Sequence, residues 1–148
     1  MSQTVDEALE RLEASSSDGR LAELCADHHI DLFVVFGSAL DRRVDNPDDV
    51  DRSVPGDLDV AVRFEPTATH RGDILRLLND LYALTGSERV DVMVLNRAGP
   101  VAREQALVRG RPLFQRGVGS FANAQIAAIM ERLDTDHLRR LDLELMAE

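Results

Sequence analysis

Lysine is absent from all 148 residues, so the 17 basic side chains are all arginines. That absence excludes a Walker-type phosphate lysine and a Schiff-base lysine, and with them the P-loop enzymes and the lysine-dependent aldolases. Cysteine is nearly as scarce. Cys25 stands alone, which excludes an internal disulfide and any multi-cysteine zinc site. It falls at an apolar position of a predicted helix, where packing is its expected role. Long apolar runs are missing too: the longest, Leu32 to Phe36, is far below the roughly 20 residues a helix needs to cross a bilayer. The first residues carry Asp6, Glu7 and Glu10 where a secretory leader has a basic segment followed by an apolar one. An unprocessed cytoplasmic protein with no membrane span is expected. Positive charge is in short supply, 17 basic against 27 acidic residues giving a formal charge of -10. Such a chain repels nucleic acid phosphates, so no nucleic-acid partner is expected, and a basic protein or a metal-bridged anion suits it better.

What is present patterns into a mixed α/β chain. The length and the 44% apolar content suffice for one hydrophobic core, predicting a single domain over 1–148 with a core about 20–116 and a helical tail about 119–148. Thr4 and Glu7 have the spacing of a capping box ahead of Val5, Ala8, Leu9 and Leu12. Ser15 to Gly19 interrupts that stripe before Leu21, Leu24, Cys25 and His28 resume it, as two helices or one bent one. A β-branched and aromatic run from Asp31 to Phe36 predicts a buried strand stopping at Gly37-Ser38. Between Ala39 and Gly56 apolar residues are few and aspartates crowd, so a solvated loop is expected. Asp57 to Phe64 alternates, with Leu58, Val60, Val62 and Phe64 on one side. A helix is expected from about Thr69 to Thr85, then a strand from Arg89 to Asn96. A helix opened by Pro100 runs to Gly110, and Pro112 to Gln115 reads as an edge strand. From Ser120 onward the chain is helical, with a break expected around Thr135-Asp136.

Three features carry chemistry in order: Gly37-Ser38 at a strand end, Asp57-Leu58-Asp59 opening a second strand, and Asp91 within a third. Asp-x-Asp is cheap in so acidic a chain, and Asp49-Val50-Asp51 and Asp134-Thr135-Asp136 also match it. Geometry separates them. On a strand, residues two apart share a face with about 6.6 Å between α-carbons, so Asp57 and Asp59 can converge on one ion. The first decoy falls in the expected loop and the second in a helix, where residues two apart diverge. A carboxylate at Asp91, between Val90 and Val92, is costly to desolvate without a cation. Magnesium prefers such hard oxygen ligands, and two ions can clamp an in-line phosphoryl displacement. Glycine and the serine hydroxyl can meet phosphate oxygens. In the bland alternative, Gly37 and Asp57 merely end and begin strands, and Asp91 pairs with Arg89 or Arg63.

These residues resemble the minimal nucleotidyltransferase family of the DNA polymerase β superfamily. The resemblance runs through Val34-Val35-Phe36-Gly37-Ser38, Gly56-Asp57-Leu58-Asp59-Val60-Ala61-Val62 and Val90 to Ala98, and on to Phe114. It implies a mixed sheet with helices on one face. Asp57 and Asp59 are then metal ligands, Asp91 a third carboxylate of the site that helps activate the acceptor hydroxyl, and Gly37-Ser38 the triphosphate turn. It further implies Mg2+, ATP as substrate, and an antitoxin that adenylylates a tyrosine of a HEPN-type ribonuclease toxin. Transfer to a small molecule such as an aminoglycoside, and a catalytically inactive antitoxin acting by steric contact, are the competing functions. Either homo- or hetero-oligomers fit the sequence. Two departures stand out: an acidic insertion around Val44 to Ser53 lengthens the path from Gly-Ser to the aspartate pair, and Asp41 stands where an arginine commonly follows the Gly-Ser. Arg42 or Arg43 is a candidate substitute.

Of the other chemistry-bearing residues, adjacent His28 and His29 make a poor chelate, and His28 suits a helix C-terminal or surface role. His70 and His137 are expected in solvent. Arg103, Arg109, Arg111 and Arg116 concentrate positive charge that could receive a triphosphate, with a solvated face as the simpler reading. Leu133, Leu138, Leu141 and Leu145 make an apolar stripe in the tail whose default is packing on the protein itself, the alternative being a partner.

Overall fold

A computed structural model describes residues 4–45, 56–66 and 73–147, the side chains of 42–45 excepted. Helix α1 (Val5–Asp18) starts where the Thr4 hydroxyl accepts the Glu7 N–H at 3.3 Å. It ends at Gly19, whose left-handed conformation turns the chain directly into α2 (Arg20–Asp27). The apolar stripe interrupted at Ser15 to Gly19 is thus two helices. Strand β1 (Ile30–Phe36) leads through Gly37 into α3 (Ser38–Asp45), and β2 is Leu58–Phe64. Then come α4 (Ile74–Thr85), β3 (Val90–Val94), α5 (Pro100–Val108), β4 (Arg111–Gln115) and α6 (Ser120–Ala147).

The four strands form one sheet in the order β3-β2-β1-β4. β1 runs antiparallel to both β2 and β4, and β2 lies parallel to β3, the two joined through α4. A parallel pair needs a crossover of a dozen or more residues, which the α4 segment supplies. The sheet is therefore mixed, as expected.

The main core lies on one face. There α1 contributes Leu9 and Leu12, α2 Leu21 and Cys25, and α4 Leu77 and Leu81, against Phe33, Val35, Leu58, Val60 and Val62. Burial pushes the Cys25 thiol up to about 12, so it packs as an apolar group. His28 caps α2, buried, with its Nε2 2.6 Å from Asp80 on α4. One-sided packing holds for α1 to α4. The opposite face carries a smaller cluster in which Ala106 and Leu107 of α5 and Ala128 of α6 cover Leu32, Val34 and Ala61. Both sides of β2 are thus apolar along its middle, with Asp59 and Arg63 flanking Ala61 on the second face.

Four expectations change. The segment after Gly37-Ser38 is not a loop from its start: α3 forms over Ser38–Asp45 because Ala39 and Leu40, one turn of small and branched apolar residues, bury against the core. The rest of the insertion, with Asp49-Val50-Asp51, lies outside the described residues, as do His70 and the side chains of Arg42 and Arg43. α4 begins at Ile74, capped by Asp73 accepting the Arg76 N–H. The break near Thr135-Asp136 does not occur: the Thr135 hydroxyl bonds the Glu131 carbonyl and Arg132 pairs with Asp136, so α6 runs unbroken. Its apolar stripe does not pack on the protein: Leu133, Leu138, Leu141 and Leu145 are all exposed, and Ala128 is the only buried residue among those of α6. No helix of the described residues is long and apolar enough to cross a membrane.

Gly110 marks the tightest approach of this architecture. A Cβ there would lie 2.1 Å from the Ala106 carbonyl oxygen and 2.5 Å from Val34 Cγ1. Gly110→Ala is expected to lower stability by about 1–3 kcal/mol through overpacking, read as a reduced denaturation midpoint at unchanged slope.

Candidate active site

Strand register brings the three sequence features to one end of the sheet. Asp59 stands opposite Asp91 across the parallel β2-β3 pair and opposite Phe36 across the antiparallel β1-β2 pair. Neighbouring strands lie about 4.8 Å apart, so Asp91 and Asp59 sit one strand spacing apart on the same side of the sheet. Asp57 enters two residues earlier, just before β2 begins. Gly37 follows Phe36 directly, with φ +89. A Cβ at Gly37 would fall 2.3 Å from Asp59 Oδ2, so only glycine permits both the left-handed turn and the carboxylate beside it. Ser38 is exposed at the first turn of α3, whose Asp41 N–H bonds the Gly37 carbonyl at 3.0 Å. Asp134-Thr135-Asp136 lies in α6, far in sequence and structure type from this arrangement.

The carboxylates strain one another electrically. Burial first, then the negative charges of Asp91 and Asp57, hold the Asp59 carboxyl above the ordinary aspartate range. For Asp91 the order is desolvation, the charge of Asp57, and a side-chain hydrogen bond with Asp57. Neither cation of the bland alternative meets Asp91: Arg89 Nε lies 3.4 Å from Asp57 and Arg63 Nε 2.7 Å from Asp31. A cluster of this kind fits a divalent cation, which would relieve the repulsion that raises both groups. No three acidic, histidine or cysteine side chains among the described residues form a ready-made cage. Magnesium takes one or two carboxylates and completes its shell with water and substrate phosphates.

The arginines after β3 separate by partner. Arg103 is locked: it reaches Glu131 at 2.5 Å, the Ala98 carbonyl at 2.7 Å and the Leu95 carbonyl at 3.3 Å. Arg111 pairs with Glu13 and Arg116 with Glu65. Arg109 pairs with Asp41 at 3.5 Å, beside the Gly37-Ser38 turn. Sequence reasoning treated the four as one charge patch. Only the β1-β4 pairing, invisible as a local pattern, distinguishes Arg109.

The chain is thus an α+β protein, with a mixed four-stranded sheet whose Asp59 and Asp91 stand beside the Gly37-Ser38 turn. Among solved structures, the chain resembles the antitoxin-containing complexes of toxin–antitoxin pairs. One is tri-AMPylated Shewanella oneidensis HEPN toxin in complex with MNT antitoxin (TM-score 0.60, 18% identity, covering 92% of this chain and 99% of that chain). Another is a toxin–antitoxin with AMP-PNP (TM-score 0.60, 18% identity, 88% and 98% covered). A third is an MntA-HpeT toxin–antitoxin mutant in which two aspartates are replaced by glutamate (TM-score 0.62, 17% identity, 88% and 98% covered). No protein-family model and no curated protein matches the sequence. The likeness establishes the fold.

The raised carboxyls yield a signed prediction. A folded-state pKa above the unfolded one means the ionised group destabilises the fold at neutral pH, and that penalty fades as pH falls through the raised value. Asp59→Asn is expected to stabilise the protein at pH 7 without added metal, read as a raised denaturation midpoint. Denaturation midpoints should converge with wild type below the ordinary aspartate range and also draw together when Mg2+ is added at pH 7.

Proposed function

We propose that this chain is a magnesium-dependent nucleotidyltransferase that acts as an antitoxin by moving AMP from ATP onto a tyrosine of a HEPN-type toxin. The observation that carries the reading is the pairing of Asp59 with Asp91 across β2 and β3, with Gly37 closed against the Asp59 carboxylate. The resemblance to structures holding an AMP-PNP complex and a tri-AMPylated toxin supports it.

Asp57, Asp59 and Asp91 would hold the metal, as a pair of ions. Bound there, magnesium supplies charge neutralisation at the phosphates and orients them for in-line displacement. The protein's own residues do the rest. Asp91, exposed on β3 one strand from Asp59, would accept the proton of the tyrosine hydroxyl. That oxygen then bonds to the α-phosphorus, the bond to the bridging oxygen breaks, and pyrophosphate leaves. Gly37 lets the backbone approach the phosphates, and the N-terminus of α3 at Ser38 presents partial positive charge to them.

The free face of α6 supports the partner half of the reading. From His137 to Ala147 every residue is exposed, including Leu138 at 61% and Leu145 at 70%. A helix that packs on nothing is marginal in water at this length, and exposed leucines grouped on one element mark an interaction surface.

Two measurements test this function. Wild-type protein mixed with the cognate toxin, ATP and Mg2+ should add the mass of AMP to a toxin tyrosine, whereas Asp57→Ala with Asp59→Ala adds none; a toxin of unchanged mass sinks the proposal. Separately, Leu138→Asp with Leu141→Asp should weaken toxin binding by about thirtyfold or more while nucleotide binding persists. Unaltered affinity would remove α6 from the interface.

A further inference from the structure

The end of the sheet that carries the three aspartates is electrically lopsided, and its opposite side holds a cation that no part of the site described so far uses. Across the strand order β3-β2-β1-β4, this end presents Asp91, then Asp59 and Asp57, then Gly37-Ser38 after β1, then the Arg109-Gly110 turn that feeds β4. The last placement rests on two contacts. Val35 of β1 is the register partner of Arg111, and Gly110 is packed so closely that an added Cβ would lie 3.2 Å from the Val35 carbonyl oxygen and 2.5 Å from Val34 Cγ1. Val34 belongs to the face covered by α5. This is the face on which Asp59 and Asp91 stand, because their neighbours Val60, Val90 and Val92 point into the other core. Arg109 caps the C-terminus of α5 on that side. Three inter-strand steps separate the ends of the row, about 14 Å.

Arg109 is also the cation of its group whose partner sits in the site. Arg103 is held by Glu131 and two carbonyls, Arg111 by Glu13 of α1, and Arg116 by Glu65, none of these partners being on α3. The Asp41 carboxylate that holds Arg109 at 3.5 Å belongs to the first turn of α3, one turn from Gly37-Ser38. Their side chains are 66% and 35% exposed, and an exposed ion pair of this kind is worth little. A polyphosphate offers the guanidinium a stronger, two-pronged acceptor than one half-exposed carboxylate.

We propose that Arg109 grips the terminal phosphates of the nucleoside triphosphate, and that Asp41 holds it in place until the nucleotide arrives. The proposal rests on the nucleotidyltransferase reading and adds to it a cation brought from the β4 side of the sheet to Asp41, in the first turn of the helix that follows the Gly-Ser turn. The triphosphate then lies across the sheet end, its α-phosphate toward the aspartates and its terminal phosphates toward β4. Arg109 touches only what departs as pyrophosphate, so it discriminates triphosphate from monophosphate.

Calorimetric titration with a non-hydrolysable ATP analogue and with AMP, both in Mg2+, tests this. Arg109→Gln is expected to bind the triphosphate analogue about tenfold more weakly, the loss of one charge-assisted contact, with AMP affinity unchanged. Asp41→Asn should bind the analogue a few-fold more tightly, since Arg109 no longer has to leave a carboxylate. Melting temperatures of both variants should match wild type, which separates a ligand contact from a structural one. Triphosphate affinity in Arg109→Gln equal to wild type overturns the assignment, and so does equal loss for triphosphate and AMP. Wild-type protein that binds no triphosphate would overturn the nucleotidyltransferase reading itself, an outcome distinct from both.

Discussion

Like charges at Asp57, Asp59 and Asp91, held within neighbouring strands, repel one another at neutral pH, and the backbone keeps them there. Desolvation and mutual repulsion raise Asp59 and Asp91 above the ordinary carboxylate range, so the fold is working against these residues. The compensation comes from the sheet. β2 is buried on both sides along its middle, with Val60 and Val62 in the main core and Ala61 under α5 and α6. Apolar burial of this kind stabilises by roughly 1.5–3 kcal/mol per large side chain, enough to hold a strained end in register.

The two cores have different tasks. α1, α2 and α4 close the larger face over β1 and β2, while α5 and the first turns of α6 cover Leu32, Val34 and Ala61 on the second face. The uncovered remainder is where carboxylates, the Gly-Ser turn and Arg109 line up. Under the proposed function, that open end would let a substrate approach Asp59 and Asp91, whose positions are set by strands rather than by loops. At Gly110 and Gly37 neighbouring atoms lie too close for a side chain, and the two border this end from the β4 and β1 sides.

The α6 helix shows the opposite balance. Its first half is anchored, with Gln125 bonding the Leu107 carbonyl and Arg103 reaching Glu131. Its second half has exposed leucines and local ion pairs such as Arg132 with Asp136. The expectation of self-packing followed from counting apolar residues at helical intervals. Periodicity identifies an apolar face but not what covers it, because the covering element is distant in sequence or on another molecule.

Much was legible in one dimension where the physics is local. The Thr4 cap, the alternation through β2, Pro100 at the start of α5 and the strand character of the Asp57-Leu58-Asp59 segment all follow from spacing within a few residues, because helix and strand periodicities are set by backbone geometry. Where burial against remote elements decided the outcome, the sequence alone misled: Ala39 and Leu40 turned an expected loop into α3, and the Thr135 region stayed helical. The pairing of Asp59 with Asp91, the ion pairs that take Arg89 and Arg63 away from Asp91, and the singling out of Arg109 depend on strand order and register. Those are properties of contacts between segments tens of residues apart, and only the folded chain selects among the many pairings that local patterns leave equally possible.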